Sequence, residues 1–105
     1  MFQINNIVWK IKFVNPFDPI LLNSNNIYTL GMCDNLTKTI YLSQTLSNKL
    51  LKKVLCHELV HAAMFSYDIL LTIDQEELIA DIIATYGEEI INITNKVFKK
   101  LRYYA

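Results

Sequence analysis

Polar and apolar positions alternate early in this chain and recur at helical spacing through its second half. Ile7 to Val14 alternates in part and is rich in β-branched and aromatic residues, which predicts a strand. Asn15-Pro16-Phe17-Asp18-Pro19 ends it, because proline cannot continue a ladder. Leu21 to Asn26 reads as a loop or a short helical turn. Ile27 to Cys33 and Thr37 to Leu42 read as two further strands. Asp34-Asn35 between them suits the tight turn of a hairpin.

A helix is predicted from about Leu46 to Tyr67, with Ser43, Thr45 and Ser47 as N-cap candidates. Its second half is apolar nearly all round, from Val54 and Leu55 through Leu59 and Val60 to Met64 and Phe65, the pattern of a buried helix. A last, long helix is predicted from about Ile73 to Leu101, opened by a capping box of Thr72 and Gln75. Ile79, Ile83, Tyr86, Ile90, Ile93, Val97 and Leu101 form one stripe along it, which reads as core packing. Ala80, Ala84 and Gly87 lie on a second face, small enough to admit another helix closely. Glycine inside a helix costs up to about 1 kcal/mol against alanine, so a packing reason is expected there. The expected fold is α+β: a small three-stranded, mostly antiparallel sheet packed on two helices, as a single domain over residues 1–105.

Composition narrows the function classes. The 52% hydrophobic content supports a packed core and argues against disorder. Formal net charge is zero, and no basic stripe invites nucleic acid. Lys52-Lys53 and Lys99-Lys100 read as solvated helix faces. No apolar run reaches membrane-spanning length, so no membrane partner is expected. Met1 to Asn6 lacks the basic and apolar regions of a signal peptide, which favours a cytoplasmic protein. Cys33 and Cys56 fit that compartment as free thiols.

The chemistry concentrates in five residues. Both histidines of the chain lie in His57-Glu58-Leu59-Val60-His61, an H-E-x-x-H string. On a helix, residues four apart point the same way, about 6 Å apart along the axis, so two imidazoles can share one Zn²⁺. Glu58 projects beside them, where a carboxylate could act as general base. Histidines inside a buried helix need polar partners, and a metal is one way to provide them. A catalytic zinc site takes a third protein ligand, and no third histidine exists. Glu77 and Asp81 form an acid pair four apart on the last helix, away from its apolar stripe. We assign Glu77 to the metal, with Glu76 as the fallback. Asp81 is assigned to the second ring nitrogen of His57 or His61, whose tautomer it would hold.

His57, Glu58, His61, Glu77 and Asp81 together resemble the gluzincin-type zinc peptidases, in which H-E-x-x-H is followed on a later helix by Glu-x-x-x-Asp. The string His57 to Ala62, after a strand hairpin, is most similar to small metallopeptidases of phages and mobile elements related to the ImmA/IrrE group. The likeness spans roughly Gly31 to Ile91. It implies a minimal zincin-like fold, Zn²⁺, and hydrolysis of a peptide bond in a protein or peptide substrate. It further implies a repressor of a mobile element as a substrate class and a separate regulatory protein as a partner. Larger members carry Asn where this chain has Glu76, and many have a further His or Tyr at the oxyanion. Here that role would fall to Tyr67, Tyr86 or another tyrosine. The rival readings are a catalytically inactive zinc-binding interaction or regulatory domain, and a metal-free helical regulator in which the histidines merely pack.

Overall fold

In the computed structural model, which describes residues 1–103, four strands and two helices follow one another along the chain. The strands are β1 (Phe2–Ile4), β2 (Ile7–Val14), β3 (Gly31–Asp34) and β4 (Thr39–Ser43). The helices are α1 (Asn48–Ser66) and α2 (Ile73–Arg102). The fold is α+β, and both helices lie close to where periodicity placed them. The Thr72–Gln75 capping box is formed in both directions.

The sheet differs from the three-stranded, mostly antiparallel expectation. It has four strands in the order β1-β2-β4-β3, and it is mixed. β1 pairs antiparallel with β2, and β3 with β4, whereas β2 and β4 at the centre run parallel. The added strand comes from a two-residue turn. Asn5 and Asn6 have φ of 50° and 63°, the left-handed pair that a tight hairpin requires. Asparagine tolerates that region better than other residues with a Cβ. Pattern alone does not say which strands are neighbours, so the parallel central pair was not readable.

The second predicted strand is also shorter than expected. Ile27 to Leu30 precedes strand β3, with Tyr28 bridged instead to Leu22, and with Ile27, Tyr28 and Leu30 exposed. Asn23 holds the bend. Its side-chain oxygen accepts from the backbone N–H of Asn25 and Ile27, and its own N–H donates to the Ile27 carbonyl. Local side-chain bonds of this kind compete with strand pairing for the same backbone groups.

Trp9, Ile40, Leu42, Leu46 and Ala62 form the buried core where the sheet meets α1. Trp9 Nε1 donates to Ser66 Oγ at 2.8 Å, and Asn5 Nδ2 donates to the Ser66 carbonyl at 2.9 Å. The first hairpin thereby ties down the C-terminal end of α1, where helix carbonyls lack internal partners. The long-range fixing of α1 sets the direction in which its histidines point.

The apolar stripe on α2 is not core. Ile83, Tyr86, Ile90, Ile93, Val97 and Leu101 are all exposed, and every described residue from Glu88 to Tyr103 is exposed. The face that packs on α1 is the one bearing small residues: Ala80 is fully buried, and Ala84 and Gly87 are half-buried. α1 runs out opposite the middle of α2, so the distal half has no neighbour to bury it. No described helix is long and apolar enough to cross a membrane.

Candidate metal centre

α1 and α2 lie antiparallel, as three side-chain pairs along their length show. Lys52 meets Glu88 at 2.9 Å, His57 meets Asp81 at 2.9 Å, and His61 meets Glu77 at 2.7 Å. Alanines at the contact face bring the two axes close enough for short acidic side chains to cross the gap. The i, i+4 spacing of the histidines then places both rings against one stretch of α2.

The ring atoms are sorted by the carboxylates around them. His57 Nδ1 lies 2.9 Å from Asp81 Oδ1, and His61 Nδ1 lies 2.5 Å from Glu76 Oε1. A carboxylate accepts, so a proton on either Nδ1 would be donated to its carboxylate, which leaves the lone pair of a neutral ring on Nε2. The two Nε2 atoms face each other at 3.1 Å. Glu77 completes the cluster, with Oε2 at 3.2 Å from His57 Nε2 and Oε1 at 2.7 Å from His61 Nε2. In that tautomer both Nε2 lone pairs and the Glu77 carboxylate converge as acceptors, an arrangement that a positive charge between them would satisfy. His57, His61 and Glu77 offer ligand atoms all within 4.8 Å of one another and could hold a metal ion. Two imidazoles and a carboxylate are a donor set that suits a divalent transition metal.

Glu58 lies next to this cluster and is 6% exposed. Burial raises its carboxyl above the ordinary range, opposed by the neighbouring histidines His61 and His57. Room for it is made by Gly31 on β3. A Cβ there would stand 3.0 Å from Glu58 Cγ and 3.0 Å from Val54 Cγ1. Cys33, two residues along the same strand, has its thiol pushed up to about 12 by burial and then by the Glu58 carboxylate. Both cysteines are free, and neither belongs to the metal-binding group.

The cluster opens into a cleft of about 970 Å³ bounded by α1, α2, β3 and the loop before β3. Apolar lining comes from Leu30, Val54, Phe65 and Ile73, and polar lining from Asn23, Asn25, Thr29 and Lys53. No tyrosine lines it among the described residues, so neither Tyr67 nor Tyr86 is brought to the site. Glu76, the fallback ligand, instead serves the far nitrogen of His61. Gly31 and Lys53 were missed from sequence. Lys53 precedes His57 by one helical turn, and that spacing was its only signal.

Comparison with known protein families, with curated proteins and with solved structures found no match to any of them.

Proposed function

We propose that this chain is a zinc-dependent metallopeptidase acting on a protein or peptide, with a mobile-element repressor as the favoured substrate class. The observation that carries the reading is the set of acceptors His57 Nε2, His61 Nε2 and Glu77 beside the buried Glu58, at the end of an open cleft. His57, His61 and Glu77 would hold Zn²⁺. Bound there, the ion supplies Lewis acidity to a water and to the scissile carbonyl.

The chain's own residues do the rest. Asp81 and Glu76 hold the imidazole tautomers, so both Nε2 lone pairs stay aimed inward. Glu58 takes a proton from the attacking water as its oxygen adds to the carbonyl carbon. It returns that proton to the amine as the C–N bond breaks. The raised affinity of Glu58 for a proton suits this task, since a base works best with a pKa near the working pH. β3 is an edge strand on the cleft wall, so an extended peptide laid along it would gain main-chain hydrogen bonds. The apolar walls would take its side chains.

The test is metal analysis of the purified protein with cleavage assays on repressor proteins and unstructured peptides. Bound zinc with cleavage that Glu58→Gln abolishes supports the proposal. Absence of any metal after purification without chelator refutes it. The second reading, a zinc-binding interaction domain without turnover, is favoured by one observation: among the described residues no tyrosine lines the cleft to stabilise an oxyanion, and the sequence holds no third histidine. Under the first reading that role would fall to Lys53, Asn23 or Asn25, which line the cleft. Zinc binding with no cleavage of any substrate would select that reading.

A further inference from the structure

The exposed stripe on α2 has a spacing that core packing does not require. Ile79, Ile83, Tyr86, Ile90, Ile93 and Val97 follow at alternating steps of four and three. That is the seven-residue repeat of a helix that winds against another helix, with Ile83, Ile90 and Val97 at one seam position and Ile79, Tyr86 and Ile93 at the other. The distal part of this seam is open: Ile90 is 54% exposed, Ile93 52% and Val97 47%. α1 packs on the face carrying Ala80 and Ala84, about a quarter turn away, so it leaves the seam free.

We infer that this seam pairs with the same seam of a second copy of the chain, with the two α2 helices antiparallel. Charge decides both partner and direction. All six acids of α2 precede Ile90, and all four of its cations follow Asn95. Acid-first order also suits the helix dipole, so it is not sufficient alone. The phase is what the dipole does not ask for. Glu89 and Lys96 occupy the same flanking position of successive repeats, beside the seam. In an antiparallel pair that stacks Ile90 on Ile93 and Tyr86 on Val97 of the other copy, this flank meets itself. Glu89 then faces Lys96 of the second copy, twice by symmetry. The same register sets exposed Ile82 against exposed Tyr103. A parallel pair would instead put Lys100 on Lys100 in the seam and the two basic ends side by side.

The paired stretch from Ile83 to Lys100 spans about 27 Å, so the contact is small and the association weak and concentration-dependent. It does not depend on the metal centre: the residues tested, Glu89, Ile90 and Lys96, lie at least eight positions beyond Asp81. The experiment is sedimentation of the full chain across micromolar to sub-millimolar concentration. We expect a monomer–dimer equilibrium that Ile90→Glu weakens about tenfold or more, by placing a charge in the seam. Glu89→Lys and Lys96→Glu each weaken it, and the double variant Glu89→Lys/Lys96→Glu restores it. Circular dichroism and metal content, unchanged in all four, exclude loss of fold. A chain that stays monomeric throughout overturns the inference, even if another protein binds the same face. So does a dimer indifferent to Ile90→Glu, and a double variant no better than its singles overturns the antiparallel register.

Discussion

His61 Nδ1 lies 2.5 Å from Oε1 of Glu76, the residue immediately before Glu77, which itself stands 2.7 Å from Nε2 of the same ring. Consecutive carboxylates on α2 therefore grip opposite edges of one imidazole. One presents an acceptor to the N–H, and the other shares the lone-pair side. If Glu76 holds the tautomer, Glu76→Ala should lower metal affinity about 10–100-fold. Glu76→Gln keeps a carbonyl acceptor and should recover much of that loss. Competition titration with a chelating dye reads both. Equal affinity in Glu76→Ala and the parent chain would remove this role.

Glu58 is the second test. Glu58→Gln keeps the shape and removes the base, so it should cut peptidase turnover by about 10²–10⁴ while metal content stays at the parent level. In metal-free protein the same change should raise stability near neutral pH. Burial raises the folded-state pKa of Glu58 above its ordinary 4.5. The folded state then binds the proton more tightly than the unfolded state. That contribution is fully present below about 4.5 and is lost as pH rises through the raised value. Glutamine avoids the loss. Thermal melts should show the variant's advantage at pH 7, with each relieved kcal/mol worth about 4–8 °C, and the advantage should vanish below pH 4.5.

Gly31 is a steric prediction. It has no positive φ, so alanine there strains no backbone. Its Cβ would press on Glu58 and Val54 at 3.0 Å. Gly31→Ala should cost about 1–3 kcal/mol of stability through overpacking and lower kcat by displacing Glu58. Metal affinity should hold, because neither histidine nor Glu77 is touched. Loss of metal in this variant would mean that the strand supports the ligands themselves.

Cys33 gives a solution check of the cleft wall. A thiol pushed up to about 12 is almost wholly protonated at pH 8 and a poor nucleophile. Iodoacetamide at pH 8 should leave Cys33 unmodified in the native chain and label it in urea, as peptide mass mapping would read. Its stability contribution is present below the ordinary value of 9.0 and lost as pH rises through about 12. Rapid native labelling of Cys33 would show that the strand opens.

Much of this protein was legible in the order of its residues. Both helices were, because their periodic apolar patterns are long and Thr72 with Gln75 marks a start that is satisfied locally. The histidine pair was, because i, i+4 spacing is a property of one helix and does not need the rest of the fold. The extra strand β1 had a signal in Asn5-Asn6 that hydrophobic pattern alone does not weigh. The parallel pairing of β2 with β4 had none, since strand neighbours are chosen by tertiary packing.

Tertiary structure decided the division of labour among the acids. Glu76, Glu77 and Asp81 are near-equivalent in sequence, and only the antiparallel crossing of α1 and α2 settles which oxygen meets which nitrogen. It likewise decided which face of α2 is covered. Periodicity tells which residues share a face, and it correctly grouped Ile79 to Leu101. Whether anything lies against that face depends on how α1 is placed: it packs on the Ala80–Ala84 face as far as Glu88, which leaves the stripe open beside it and unopposed beyond it.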